Sequence, residues 1–162
     1  MKHLLVCALL AFTSLVFAAD ISITAANVVP SSNAVISQVT AGATIAAGQL
    51  IYLDGDDTDS NGKGKAKLSD CDSATATIRV VDGIAINSAS AGQPLVYVTF
   101  DPNLTIGGSQ TANVILILSS TAGGIAPSAD LTTGEYLICI GVVKTATTIY
   151  FRAPGLISGA AS

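Results

Sequence analysis

The chain predicts an all-β fold, a small compact β-barrel or β-sandwich of short strands with at most one or two helical turns. Three observations lead there: apolar runs of strand length rich in Val and Ile, turn signals between them, and no apolar periodicity long enough for a helix. Half of the 162 residues are hydrophobic, mostly Ala, Val, Ile and Leu, with four Tyr, four Phe and no Trp. Small and β-branched side chains suit a pleated surface, and this length holds one domain with its own core.

Residues 21–24 alternate apolar and polar, 35–39 are rich in β-branched side chains, and 50–53 follow Gly48-Gln49 and stop at Asp54. Residues 78–81 and 83–86 flank Asp82-Gly83, which reads as a tight bend or a bulge. The run 95–100 is ended by Asp101-Pro102-Asn103, which a central strand is not expected to accommodate. Residues 114–118 and 136–143 are continuous apolar runs, expected to be buried on both faces or to cross the core, and 147–151 add a closing strand. The best helical window, 69–77, offers Ser69 or Asp70 as a cap and has room for only one or two turns.

The organisation follows. Residues 1–18 are an apolar leader-like segment, 19–34 an extended N-terminal arm, 35–157 a single β domain and 158–162 a loose tail. The leader has a basic start, Met1-Lys2-His3, an apolar run over 4–17, and small residues around Ala18 and Ala19 in the pattern of a signal-peptidase site. The run is shorter than the roughly 20 apolar residues of a membrane span. It reads as a secretory leader or as an upstream extension. Without it the only His and one of the three Cys are gone, and six basic residues face 11 acidic ones.

This composition narrows the chemistry. An acidic balance of 7 basic to 11 acidic residues lacks the footprint that phosphate binding requires, so nucleic acid is not expected as a partner. With no His beyond His3, neither a Ser-His-Asp triad nor a tetrahedral zinc set can be assembled from the mature chain. Ser60 and Lys63 have the S-x-x-K spacing but sit in a Gly-rich tip without its partner motifs. Asp57-x-Asp59-x-Asn61-Gly62 matches the opening of a calcium loop, whose twelfth position should be Glu; here it is Leu68, and Lys63, Lys65 and Lys67 oppose a cation. A solvated hairpin tip is the expectation; the weak alternative is a calcium site built from Asp54, Asp56, Asp57 and Asp59. Cys71 and Cys139 read as a disulfide in an oxidising compartment or as two buried hydrophobes. Asn103-Leu104-Thr105 is a glycosylation sequon, relevant only in a eukaryotic secretory pathway. No cofactor, small-molecule substrate or enzymatic activity is expected.

Several segments carry a resemblance in order along the chain: Ala19 to Pro30, Ala47-Gly48-Gln49-Leu50-Ile51-Tyr52-Leu53-Asp54, Gly83-Ile84-Ala85-Ile86-Asn87-Ser88-Ala89 with Ala91-Gly92-Gln93-Pro94, Leu118 to Pro127, and Gly141-Val142-Val143. From about Ala19 to the C-terminus the chain resembles the small capsid cement, or head decoration, proteins of tailed bacteriophages. The resemblance implies a β-rich virion protein on the outer capsid surface. Its partners would be the major capsid protein and itself, as a homotrimer that clamps neighbouring capsid subunits. Ile21, Ser22, Ile23 and Thr24 are then the candidate capsid or subunit contacts. Such proteins need no export, so the leader favours a second reading, a secreted or periplasmic β-domain surface or adhesive protein.

Overall fold

The structure is a computed structural model and describes residues 20–160, with side chains described as far as Ala153. Nine strands make up the domain: β1 (Val35–Thr40), β2 (Leu50–Thr58), β3 (Gly64–Leu68), β4 (Gly83–Ala85), β5 (Pro94–Thr105), β6 (Ile115–Leu118), β7 (Ile125–Pro127), β8 (Tyr136–Val143) and β9 (Thr148–Ala160). Helical backbone among the described residues is confined to 3-10 turns at Ala25–Asn27, Ala76–Arg79 and Ser128–Asp130. The fold is all-β: one curled antiparallel sheet in the order β3-β2-β4-β5-β9-β8-β6-β7 forms a half-barrel, and β1 pairs with β5 off this path. Among the described residues no helix is long and apolar enough to cross a membrane.

Strand alternation gives the sheet two buried faces. On one face Val39, Ala41, Ile51, Ala66, Ala85, Leu95 and Tyr97 form a small core ringed by β1, β5, β4, β2 and β3. The ring is drawn together where Ala41 bridges Ala66 in parallel and the Gly42 amide donates to the Ala66 carbonyl at 2.8 Å. On the other face Leu50, Ile84 and Val98 join Leu104, Leu116, Leu118, Ile138, Ile140, Val143, Ile149 and Phe151 in a larger core. The wall β2-β4-β5 therefore serves both cores. Burying one Ile or Leu completely contributes about 1.5–3 kcal/mol, so both faces of this wall add to stability where they are buried.

The expected central runs are strands, β8 over the same residues as its apolar run, but several boundaries differ. β5 does not stop at Asp101-Pro102-Asn103. It continues to Thr105 because a bulge between Asp101 and Leu104 takes up an extra residue, so Pro102 owes no ladder hydrogen bond there. The Asp101 carboxylate accepts the Asn103 amide at 2.8 Å across that bulge. β9 runs to Ala160, so 158–160 are strand rather than loose tail, the Ala160 end pairing with Tyr136; residues 161–162 lie outside the described residues. The strand expected at 78–81 is replaced by the 3-10 turn Ala76–Arg79, whose Arg79 guanidinium donates to the Ser73 carbonyl at 2.5 Å and covers the Tyr136 ring. The short β7 has no counterpart in the sequence reading, since three residues ending in proline are too few to carry a period.

Candidate functional site

The candidate contact residues Ile21, Ser22, Ile23 and Thr24 form no strand; they lie against their own domain. The Ile21 amide donates to the Ile125 carbonyl of β7 at 2.8 Å, and the Ser119 hydroxyl donates to the Asp20 carboxylate. Ile21 and Ile23 are half-buried against the larger core, while Ser22 and Thr24 are exposed. Further along, Val28 is buried, and Val29 exchanges two 3.0 Å backbone hydrogen bonds with Thr105. Ser31 closes the arm onto β5, giving its amide and its hydroxyl to Asp101 at 2.7 and 2.5 Å. Ile21, Ile23 and Val28 of the arm thus meet this domain, because two isoleucines at alternate positions bury best on the nearest apolar surface. Outward the arm presents the hydroxyls of Ser22 and Thr24 together with Ala25, Ala26, Asn27 and Val29.

The seat of the arm is built by segments far apart in sequence. Gly48 has φ +92°, and a Cβ there would stand 2.5 Å from Ile23 Cγ2. The Gly48 amide donates to Ala85 at 2.7 Å, and the Leu50 amide donates to Gly123 at 2.9 Å. Gly48→Ala is expected to destabilise the protein by about 1–3 kcal/mol, from positive-φ strain plus overlap with the arm. Adding Ile23→Ala should recover the overlap part only. Equilibrium denaturation of the two single variants and the double variant checks this; strict additivity would count against the contact.

Beside the arm, Asp20, Ser119, Thr121, Asp130 and Glu135 line an open cavity of about 240 Å³. Burial, then the charges of Asp20 and Glu135, raise the Asp130 carboxyl above its ordinary range. Asp70 is pushed up to about 6, first by burial and then by its hydrogen bond with Asp72. Cys71 lies close by; burial and then Glu135, Asp72 and Asp70 push its thiol up to about 12, so it stays protonated and unreactive at neutral pH. These acids are spread from position 20 to 135, and nothing in their spacing announces that they share one end of the molecule.

Because the folded Asp70 binds its proton more tightly than the unfolded one, its contribution favours folding below about pH 4 and is lost as pH rises through 6. Asp70→Asn is therefore expected to raise the melting temperature above wild type at pH 7–8, with the gain vanishing near pH 4. A melting series across that range reads the crossover. A constant difference at all pH values would contradict it.

The acidic tip is engaged internally. Lys67 Nζ lies 2.8 Å from Asp54 and 3.0 Å from Asp57, and Lys65 Nζ lies 2.8 Å from Asp57. These lysines hold the Asp57 and Asp54 carboxyls below their ordinary range. Asp59 accepts the amides of Asn61 and Lys63 at 2.8 and 3.0 Å and shapes the turn, while Asp56 is exposed. Lysines two apart on β3 face Asp54 across the ladder, so the positions a calcium ion would take near it hold ammonium groups. Among the described residues no group of three or more His, Cys, Asp or Glu is placed to hold a metal.

Cys71 and Cys139 are free thiols. Cys71 sits in the larger core, which Ile138 and Ile140 enter from β8, whereas Cys139 between them points to the opposite face. The disulfide alternative is therefore not met here: Cys71 is a buried hydrophobe and Cys139 is half-buried. The sequon residue Asn103 is exposed in the bulge and accepts Lys144 Nζ at 2.5 Å.

The chain matches no protein-family model and no curated protein.

Proposed function

We propose that this chain is a capsid decoration protein. It binds the outer surface of an assembled phage head and stabilises it by clamping neighbouring major capsid proteins, with copies of itself as the other partner. The observation that carries the reading is spatial. Four of the segments that bear the resemblance converge on one structure: the arm from Asp20 to Pro30 rests on Gly48, on Ile125 and on Ser119, and the Gly48 segment is bonded in turn to Ala85 and, through Leu50, to Gly123. Turn-and-strand patterns of modest individual specificity thus form a single continuous packed unit.

The physical mechanism is linkage. A ligand with affinity for the assembled lattice and none for free subunits shifts the equilibrium against shell opening, by an amount that grows with its concentration over its dissociation constant. The domain contributes rigidity through its two cores, and its arm exposes the hydroxyls of Ser22 and Thr24.

The test mixes the purified chain with assembled empty heads and, separately, with unassembled capsid protein. Saturable co-sedimentation with heads only, together with a higher melting temperature of the shell, is expected. Equal binding to both, or to neither, would count against decoration. Recovery of the protein only outside heads, processed near Ala18, would favour the secreted surface reading, to which the basic and apolar start of the chain points.

A further inference from the structure

The face of the sheet that builds the small core does not end with it. On β1, Val35 lies on the same side as Val39, and it is paired with Phe100 of β5. The Phe100 ring meets Tyr150 edge-on at 5.7 Å, and strand pairing carries the row on to Val142 of β8 and Ile115 of β6. Tyr150 alternates with Ile149 and Phe151, which fill the larger core, so this row of five stands on the opposite surface. At its ends Val35 and Ile115 are 52% and 49% exposed. Ile117, two residues from Ile115 on the same side, is only 2% exposed, where the Ser128–Asp130 turn packs against β6. The covered part of this face stops short of the row. A solvated sheet face is ordinarily polar, so an apolar row left open across five strands calls for a partner.

Two cations flank the aromatic pair. Arg152 is exposed directly opposite Phe100, and Lys144 reaches the Pro102 carbonyl at 3.0 Å and the Asn103 side chain at 2.5 Å. Neither has a carboxylate partner among the described residues, whose salt bridges all lie on the β2–β3 hairpin. Asp101, next to Phe100 in sequence, is buried on the other side with Phe151. The charged hairpin tip faces Gln38 and Thr40, at the far end of β1 from Val35. A chain of formal net charge −4 thus sets unpaired positive charge around an exposed apolar row.

We propose that this row is the surface that meets the major capsid protein, at a patch where carboxylates flank an apolar side chain. The inference rests on the decoration reading and names the face that carries it. Charge complementarity selects the occupant: Arg152 and Lys144 find their counter-charges on an acidic surface, which also fixes how the two proteins are oriented. Between them Phe100 and Tyr150 supply the aromatic centre on which binding energy concentrates once water is excluded. A second copy laid face to face would instead set positive charge against positive charge. Five strands span only about 19 Å, short of a standard interface of about 800 Å² per partner. One copy therefore holds one capsid subunit weakly, and the assembled lattice retains it through several contacts at once.

The test titrates assembled empty heads with the full chain and reads the bound fraction by co-sedimentation, beside the melting temperature of each variant. Arg152→Glu and Ile115→Ser, both at exposed positions, are each expected to weaken binding about tenfold or more while melting with the wild type. Lys63→Glu makes the same change of charge at the exposed hairpin tip and should leave binding within about twofold of the wild type. Wild-type binding that neither face variant alters would overturn the face and leave the decoration reading standing, whereas a wild type that binds no heads would end both. A loss in Lys63→Glu as large as in Arg152→Glu would reduce the contact to overall charge and overturn it too. Self-association without heads that Arg152→Glu abolishes would put a second copy on the face in place of the capsid protein.

Discussion

Gly141→Ala is expected to destabilise the protein by about 3 kcal/mol or more, among the largest effects of any single methyl added to this chain. A Cβ at Gly141 runs into the Tyr150 carbonyl oxygen and stands 3.0 Å from its carbon and 3.4 Å from Phe151 Cα. The obstacle is backbone of the neighbouring strand, which cannot rotate aside as a side-chain tip would. Gly141 lies opposite both Leu116 and Phe151, where β6, β8 and β9 change register, and Phe151 is fully buried in the larger core. Separating β8 from β9 to admit a methyl group would pull that ring out of place. Gly55→Ala is the control, because a Cβ there meets nothing within 4 Å. Urea denaturation of both variants checks the contrast; a Gly141→Ala midpoint within error of Gly55→Ala would contradict the packing described.

Asp101→Ala is expected to cost about 2–4 kcal/mol, because it removes the one buried acceptor that three donors share. The Asp101 carboxylate is fully buried and accepts the Ser31 amide, the Ser31 hydroxyl and the Asn103 amide. One side chain thereby shapes the β5 bulge and fastens the end of the arm. Asp101→Asn should recover only part of the loss, since an amide nitrogen turned toward any of these donors repels it. Ser31→Ala should cost less, about 1 kcal/mol. The double variant should lose less than the two single losses combined. Faster exchange of the Ser31 amide in Asp101→Ala would accompany the loss; full additivity with native exchange would show that the arm is held elsewhere.

The same residues explain what could be read from the sequence. β8 is legible because eight consecutive residues are apolar or glycine, a signal strong enough to survive any tertiary context. β5 is legible only to Phe100, since Asp-Pro-Asn is a local stop, and what overrides it is Ser31, seventy residues away in sequence. β9 extends past Pro154-Gly155 because the four residues between the Phe151 and Leu156 pairings face only Ile140 of β8, three more than the ladder needs, and no local pattern signals that. The alternation of Ile21 and Ile23 is a true sign of an apolar face. Its partner is the arm's own domain at Gly48 and Ile125, a distinction that needs three dimensions. The acidic hairpin tip was legible in composition, yet the placing of Lys67 between Asp54 and Asp57 depends on the register of β2 with β3. The cluster of Asp20, Asp130 and Glu135 had no sequence signal, because its members come from the arm, a 3-10 turn and the loop before β8.

The most direct test of the decoration role is the intact mass of the native protein across a density gradient that separates phage heads from soluble and periplasmic material. The account predicts that the chain bands with heads at a copy number near that of the major capsid protein, and the mass then shows whether residues 1–18 travel with it. A protein processed near Ala18 and found only in particle-free fractions would contradict it.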